Sequence, residues 1–555
     1  MQLPEPQTKT FPGLVGAIEQ GQIKIPQFQR DFVWTMQKSA GLIDSVIKGY
    51  PIGTFIFWRT KERLRSVKDI GKQVLPEPEQ GEFVDYVLDG QQRLTSLFAS
   101  LRGVVLTRED GREDDFSKIF IDLEAQESDQ IVITDIEGKD EKSLISVSKL
   151  LTGGLKLLVS YPEHYHDKLD TYKNRIESYQ YSIIQVKDAP IEIATEIFTR
   201  INVGGKPLSL FEIMVAKTFD HEKKFDLAEK FQELVDNLKP FDYETISDAT
   251  VLQIVSIILS KECKRQVILG LDKSDFVNTW DKARDSLERT VEYFKNYYRI
   301  PVSQLLPYNA LIAPFSYFFF YHPDKPTGDK QKFLEDFFWR CSLSGRYSSA
   351  VESKLAQDVK RIDQILAGEL PSYDWSIDTS DGFIKNNGWF SAARSYIKAI
   401  LCIYAYLQPK SFNDNSIVNI SNYWLKQANS KNYHHFFPKA HLRKQNYGEF
   451  RINHILNITI VDDFLNKKEI KAKAPSKYMA KFRDVNPNLE ATMKTHLIED
   501  LETFGIWDDD YDKFFDERAK LVSRELSKRV IKQDIDKQGQ LSIVDDFEEE
   551  LTTVE

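Results

Sequence analysis

The sequence predicts a multidomain α+β protein with a mixed α/β beginning, a largely helical middle and a short mixed segment near its end. The chain has 555 residues, which is too long for one hydrophobic core, so several domains are expected. The apolar periodicity changes twice: strand-like and helical runs alternate at first, helical runs dominate residues 220–410, and strand-like runs then return. A composition of 41% hydrophobic and 28% charged residues is typical of globular proteins.

Several protein classes are excluded by the sequence. No apolar run approaches the roughly 20 residues of a membrane span, and the start "MQLPEPQTKT" lacks the basic and apolar regions of a signal peptide. The three cysteines are far apart, which argues against a disulfide framework or a cysteine zinc site and favours a reducing compartment. We therefore expect a cytoplasmic protein without a membrane partner.

The first hundred residues predict a strand–turn–helix unit. "MQKSAGLIDSVIKGY" has helical spacing, "IGTFIFW" and "EFVDYVLDG" have strand composition, and "QQRLTSLFASL" begins a helix directly after Asp89-Gly90. A helix that starts at such a turn presents backbone N–H groups and a positive dipole end to an anion. Further on, Ser209 and Glu212 have the spacing of a capping box that starts another helix.

The helical middle and the chain end complete the predicted organisation. "DATVLQIVSIILS" and "WFSAARSYIKAILCIYAYL" predict core helices, and "DKFFDERAKLVSRELSKRVI" predicts a last helix before an acidic tail. We expect four segments, at residues 1–218, 219–410, 411–500 and 501–555.

The third segment concentrates histidine and positive charge. The stretch "NYHHFFPKAH" holds three of the nine histidines, and Leu425 to Phe482 contains twelve Lys and Arg against four Asp and Glu, a net charge of +8 in a chain of net charge −10. Such an island could bind a polyanion, and a solvated basic face is the alternative. We expect His441 and His454 at the surface or in contact with DNA.

Downstream residues fall into a fixed order after this stretch. "ILNITIV" has strand composition, and Asp462 or Asp463 can cap a following helix. The expected order is a strand with His434-His435, a loop, a strand with Asn457 and a helix with Asn466. This order resembles the HNH (ββα-metal) nuclease motif over about fifty residues.

The HNH resemblance implies a role for each of these residues. His435 would be the general base that takes a proton from water, and His434 and Asn466 would hold a divalent metal, Mg²⁺ or Mn²⁺. Asn457 would either orient His435 or pin the loop. Lys439, Lys473 and Lys477 are at most phosphate contacts.

Three N-terminal stretches embed polar groups between apolar residues: "IPQFQRDFVW", "VLDGQQRLTSL" and "IFTRINVGGKPLSLFEI". Arg30 and Arg93 can grip a phosphate in bidentate fashion, Asp89 can hold a metal or a water, and Gln91 or Gln92 can orient water. A buried Asp–Arg–Gln network that only fixes the domain explains the same residues.

Together, the three stretches resemble the ParB-like N-terminal domain of GmrSD-type, modification-dependent (type IV) restriction endonucleases, which pairs with an HNH domain in relatives such as SspE and BrxU. The resemblance implies binding and hydrolysis of an NTP, either ATP or GTP. Because the chain has no Walker loop, any nucleotide hydrolysis would use the Asp89–Arg93 turn. The nucleotide-binding residues implied are Gln29, Arg30, Asp89, Gly90, Gln91, Gln92, Arg93, Arg200 and Asn202, of which Asp89, Gln91, Gln92 and Arg93 would serve hydrolysis.

The resemblances imply an anti-phage endonuclease whose N-terminal domain binds NTP and senses modified DNA. Expected partners are double-stranded phage DNA, NTP and a second copy of the chain in a homodimer. A non-catalytic ParB-like DNA-binding sensor and an RNA-targeting HNH nuclease are the alternatives.

Overall fold

The computed structural model describes residues 3–26, 32–64, 69–70, 73–79, 81–108, 111–201, 208–220, 222–422, 433–461, 470 and 472–537. The chain divides into two units, Met1–Leu227 and Ala228–Glu555. Strands concentrate in the first unit and helices in the second, so the structure has the mixed α+β composition that the sequence predicts. The finer division at residues 218, 410 and 500 stays a prediction.

A mixed sheet forms the centre of the N-terminal unit. Among the described residues it has five strands in the order β1-β12-β3-β6-β2. β12 runs parallel to β3, and β2 runs parallel to β6, whereas β1 with β12 and β3 with β6 are antiparallel. The strands of this unit are β1 Glu5–Thr10, β2 Ile23–Lys24, β3 Phe55–Thr60, β4 Asp69–Ile70, β5 Gln73–Val74, β6 Val84–Asp89, β7 Val105–Thr107, β8 Glu113–Asp115, β9 Phe120–Asp122, β10 Val132–Ile133, β11 Leu144–Ser146 and β12 Gln180–Lys187.

Helices pack on this sheet and bury an apolar core. Phe55 and Phe57 of β3 meet Leu94 and Phe98 of the helix that follows β6, and all four are buried. The helices of this unit are α1 Phe11–Glu19, α2 Met36–Ile47, α3 Gln91–Arg102, α4 Val147–Thr152, α5 Leu155–Val159, α6 His166–Ser178, α7 Ile191–Ile201 and α8 Leu210–Thr218. The predicted strand–turn–helix unit is confirmed as β3, β6 and α3, and the capping box of Ser209 and Glu212 starts α8.

The C-terminal unit begins with long helices, as the sequence predicts. Aromatic side chains form much of their core, for example Tyr298 stacked on Phe338 with ring centroids 4.3 Å apart. These helices are α9 Leu227–Leu238, α10 Asp248–Ser260, α11 Arg265–Gly270, α12 Lys273–Asn296, α13 Ile312–Tyr321, α14 Gly328–Leu343, α15 Val351–Ala367, α16 Asp381–Asn387 and α17 Ser395–Tyr406. Within the described ranges, no helix is both long enough and apolar enough to cross a membrane.

A short antiparallel strand pair follows the long helices. β13 Tyr433–His435 pairs with β14 Ile458–Ile460, and small helices lie between and after the two strands. They are α18 Lys439–Lys444, α19 Glu449–Ile452, α20 Pro475–Val485, α21 Leu489–Lys494 and the final helix α22 Tyr511–Ser527.

Candidate functional site

The two adjacent histidines lie on β13 and are aligned with β14. His434 is opposite Thr459, and His435 is opposite Ile458. Because successive side chains of a strand point to opposite faces, the two imidazoles leave the strand in different directions. His434 is 4% exposed, whereas His435 is only partly buried, so solvent reaches the second imidazole.

Asn457 closes the loop between the two strands. It is fully buried and ends a short 3-10 turn immediately before β14, rather than lying on the strand as predicted. Its side-chain oxygen accepts from the backbone N–H of Phe437 at 2.8 Å, and its amide nitrogen donates to the carbonyls of Phe437 at 2.9 Å and Ile452 at 3.1 Å. Of the two roles considered for Asn457, these bonds correspond to pinning the loop.

His435 is held by Asn453, a residue that the sequence reasoning missed. The Nε2 atom of His435 lies 3.0 Å from Oδ1 of Asn453, and the amide nitrogen of Asn453 donates to the carbonyl of Phe390 at 3.1 Å. "NHILN" contains Asn453 and Asn457 four residues apart, but nothing in that spacing shows which of them faces the histidine. Phe390 precedes His435 by 45 positions, so this support depends on tertiary contacts.

Burial and positive charge keep His435 neutral. Desolvation, together with the positive charges of Lys439 and Arg443, lowers the pKa of His435 to about 3. Both cations belong to α18, which begins directly after Pro438. Burial and the charge of Arg443 in turn lower the pKa of Lys439. The uncharged imidazole therefore lies beside a cationic helix, an arrangement suited to an anionic ligand.

The described residues do not by themselves complete a metal site. No group of three or more His, Cys, Asp or Glu is placed to hold a metal ion in the part of the chain that the structure describes. Of the two predicted ligands, His434 lies on β13, and Asn466 lies outside the described residues. That the imidazole of His434 and the amide oxygen of Asn466 bind a metal ion therefore stays a prediction.

His454 is fully buried, so its predicted place at the surface or in contact with DNA is wrong. Its Nδ1 accepts from the backbone N–H of Leu456 at 3.1 Å, and its Nε2 lies 3.2 Å from the carbonyl oxygen of Lys385. A Cβ at Gly388 would lie 2.1 Å from the ring, so only glycine fits there. The prediction failed because the end of α16 and the residue that follows it, which are distant in sequence, cover this histidine.

The final helix α22 packs behind the strand pair. The rings of Phe436 and Phe514 stack with centroids 5.1 Å apart, and Tyr511 donates its hydroxyl hydrogen to the carbonyl of Arg451. The guanidinium of Arg518, also fully buried, donates to the carbonyl of Leu456 at 2.7 Å. α22 thus shares the apolar core of the strand pair.

In the N-terminal unit, Arg93 locks the turn between β6 and α3. Its guanidinium donates to the carbonyls of Ile52 at 2.9 Å and Thr54 at 3.0 Å, and pairs with Asp89 at 3.0 Å. Gly90 has φ +92, and a Cβ there would lie 2.5 Å from the ring of Phe55. These contacts tie the start of α3 to the chain entering β3.

The two glutamines of the turn lie inside the protein. Gln91 and Gln92 are 7% and 6% exposed, and the Gln92 amide nitrogen donates to the Gln91 oxygen at 2.8 Å. The Gln92 oxygen accepts from the backbone N–H of Val33 at 2.9 Å. The Asp89 carboxylate, 32% exposed, is therefore the most accessible polar group of the turn.

The family of this unit follows from comparison with known proteins. Residues 12–219 match the model described as GmrSD restriction endonuclease, N-terminal domain. The N-terminal unit is thus similar to the N-terminal domain of GmrSD restriction endonucleases. The chain is also similar to an uncharacterized protein of Methanocaldococcus jannaschii, with 25% identity over 94% of this chain and 98% of the relative.

The GmrSD domain brings together only part of its predicted site. Asp89, Gly90 and Arg93 are in mutual contact at the turn, with Gln91 and Gln92 beside them. Arg200 is 78% exposed near the end of α7 and pairs with Glu196. Gln29, Arg30 and Asn202 lie outside the described residues.

Proposed function

We propose that this GmrSD-family protein is a restriction-type endonuclease of the cytoplasm. It hydrolyses DNA with His435 as the general base. The observation that carries the proposal is the environment of His435, a neutral imidazole on the edge of a pinned strand pair, beside the cationic Lys439 and Arg443. A neutral imidazole can accept a proton, and cations attract the phosphate backbone. The HNH resemblance gives the same role to the same residue.

Hydrolysis by this site needs one proton transfer to His435. The imidazole takes a proton from a water molecule as the water oxygen bonds to phosphorus. The bond between phosphorus and the leaving oxygen breaks, and solvent protonates that oxygen. The pKa of about 3 makes His435 a weak base in the free protein, but the negative charge of a bound phosphodiester raises that pKa.

A divalent ion belongs to the proposal through the HNH resemblance. Mg²⁺ or Mn²⁺ bound by His434 and Asn466 would supply positive charge at the phosphate. We expect chelation to abolish cleavage and added Mg²⁺ or Mn²⁺ to restore it.

The decisive variant is His435→Ala in the full chain. We expect its cleavage rate on double-stranded DNA to fall by about 10²- to 10⁴-fold, because the proton acceptor is lost. The rate is measured by product formation with Mg²⁺ or Mn²⁺, and Gln445→Ala, an exposed residue after α18, is the matched control. Cleavage by His435→Ala at the wild-type rate would refute the role of His435.

The same assay separates the alternatives. Cleavage of RNA in place of DNA would identify an RNA-targeting nuclease. DNA binding without metal-dependent cleavage of either polymer would identify a non-catalytic sensor.

We further propose that the GmrSD domain binds and hydrolyses ATP or GTP and senses modified DNA. The support is the N-terminus of α3, where backbone N–H groups favour a phosphate, with the accessible Asp89 carboxylate beside it to hold a metal ion or a water. Gln29, Arg30, Arg200 and Asn202 complete the proposed nucleotide site, and Gln91 or Gln92 orients the attacking water.

Asp89→Ala and Arg93→Ala are expected to abolish NTP turnover, measured as phosphate release. Arg102→Ala is the matched control, because Arg102 ends the same helix and pairs with Glu19 at the surface. If Arg93→Ala lowers only thermal stability and leaves turnover intact, the turn is a network that fixes the domain.

Substrate choice and assembly are tested on the wild-type chain. We expect glucosylated or phosphorothioated DNA to be cut in preference to plain DNA, with a rate that depends on NTP. Sedimentation of the full chain tests the proposed homodimer.

A further inference from the structure

His435 stands at the end of a hydrogen-bond chain that starts at a backbone carbonyl. The Phe390 carbonyl accepts from the Asn453 amide nitrogen at 3.1 Å, and Asn453 Oδ1 lies 3.0 Å from His435 Nε2. A carbonyl oxygen can only accept, so the NH₂ group of Asn453 must face Phe390. The oxygen of the same amide must then face His435.

This polarity determines which ring nitrogen carries the proton. An amide oxygen also can only accept, so Nε2 of His435 must be the donor. A neutral imidazole has one N–H, and the second nitrogen, Nδ1, is then the unprotonated base. The assignment depends on the carbonyl of Phe390 and not on how the amide of Asn453 is drawn.

We propose that Asn453 is a positioning residue that holds the His435 proton on Nε2 and so makes Nδ1 the atom that takes the proton from water. The inference rests on the proposed function of His435 and names a residue that the HNH resemblance did not.

The backbone around Asn453 is fixed independently of its side chain. The backbone carbonyl of Asn453 accepts from the Phe390 N–H at 2.9 Å, and the backbone N–H of Asn453 donates to the Glu449 carbonyl at 2.8 Å. The backbone N–H of Ile455 donates to the Gly388 carbonyl at 2.7 Å. The strand-like segment at Gly388–Phe390 thus fixes the backbone at Asn453 through backbone hydrogen bonds. Replacement of the side chain should therefore leave the local backbone in place.

The first readout is the tautomer itself. Imidazole ¹⁵N chemical shifts of the full chain, labelled at histidine and measured above neutral pH, distinguish a protonated Nε2 from a protonated Nδ1. The His435 signals are assigned by their loss in His435→Gln. We expect the Nε2–H form in wild type and in Asn453→Asp, which keeps an acceptor, and a mixture of tautomers in Asn453→Leu.

The second readout is DNA cleavage. We expect Asn453→Leu to lower kcat by about 10- to 100-fold while KM for DNA stays nearly constant, because a supporting residue does not bind substrate. Asn453→Asp should recover part of this loss, and Gln445→Ala should match wild type. Thermal unfolding establishes that each variant is folded.

The two proposals fail in different ways. A wild-type chain that never cleaves nucleic acid refutes the proposed function, and the ¹⁵N measurement then decides on Asn453 alone. An Nδ1–H tautomer in wild type, or an unchanged tautomer in folded Asn453→Leu, overturns the positioning role.

Discussion

At the scale of single residues, burial keeps the histidines around the strand pair neutral. Desolvation lowers the pKa of His435 and His454 to about 3 and that of His496 to about 4. His454 and His496 each place Nε2 near a backbone carbonyl, that of Lys385 and that of Lys410. Their hydrogen bonds thus fit the neutral ring, and protonation would leave a buried charge.

The stability of the C-terminal unit should therefore depend on pH. The folded pKa of His454 lies below its ordinary value of 6.5, so the unfolded chain binds more protons. The free energy of unfolding should fall as pH falls from about 6.5 toward the folded pKa of about 3. Thermal unfolding at several pH values measures this, and His454→Gln should reduce the dependence. His164→Gln, at an exposed histidine of the other unit, should not change it.

The hydrogen bonds of Asn457 explain why asparagine fits this position in the loop. The loop offers one backbone N–H and two carbonyls, and an amide side chain satisfies all three. An ionised aspartate has the same shape but cannot donate to carbonyls. The asparagine of the HNH resemblance thus has a structural reason that is independent of catalysis.

At the scale of elements, the turn between β6 and α3 depends on close approach. Gly90 has a left-handed backbone, and both the Phe55 ring and the Arg93 guanidinium fill the space where a Cβ would lie. Arg93 in turn holds two carbonyls of the chain that leads into β3. The turn therefore tolerates neither a side chain at residue 90 nor the loss of Arg93.

Gly90→Ala and Gly81→Ala should separate backbone strain from crowding. The two glycines have φ +92 and +91, but nothing lies within 4 Å of a Cβ at Gly81. We expect Gly81→Ala to cost about 1 kcal/mol from backbone strain alone and Gly90→Ala about 3 kcal/mol, since crowding adds to the strain. Thermal unfolding of both full-length variants measures the difference. Equal destabilisation would mean that the Phe55 ring moves aside freely.

The strand pair β13–β14 depends on other elements for its stability. Two strands of three residues each are too short to persist alone in water. Phe436 and Phe437 bury their rings against Phe514 of α22, which supplies the missing apolar surface. The strand pair thus needs the apolar surface of a helix that follows it by about eighty positions.

At the scale of the whole chain, a residue near the C-terminus binds a helix about two hundred positions earlier in the sequence. Arg340 of α14 is fully buried, and Asp536 binds it with both carboxylate oxygens at 3.0 and 2.7 Å. Asp536 also accepts from the backbone N–H groups of Ile377 and Gln533. Burial raises the pKa of the neighbouring Asp336, whereas hydrogen bonds from Arg340 and the backbone overcome desolvation and lower that of Asp536.

Asp536→Ala should destabilise the C-terminal unit by about 3–5 kcal/mol, because the variant loses one partner of a buried ion pair. Asp534→Ala is the matched control two positions earlier, since Asp534 is 92% exposed and pairs with an exposed lysine. Chemical denaturation of the full chain gives both values. A similar small effect of both variants would show that Asp336 alone compensates Arg340.

The sequence by itself predicted the strand–turn–helix unit of β3, β6 and α3, the capping box of α8 and the turn at Asp89-Gly90, and its N-terminal motifs resemble the GmrSD family. The structural features rest on periodicity and turn chemistry over a few neighbouring residues, so they can be recognised without a fold, whereas the family resemblance rests on the three motif stretches. Only the tertiary structure decided that Asn453 and Phe390 hold His435, that His454 is buried and that Arg93 binds the carbonyls of Ile52 and Thr54. Each of these joins residues that are adjacent only after folding, and any polar side chain has many partners of suitable chemistry along the chain.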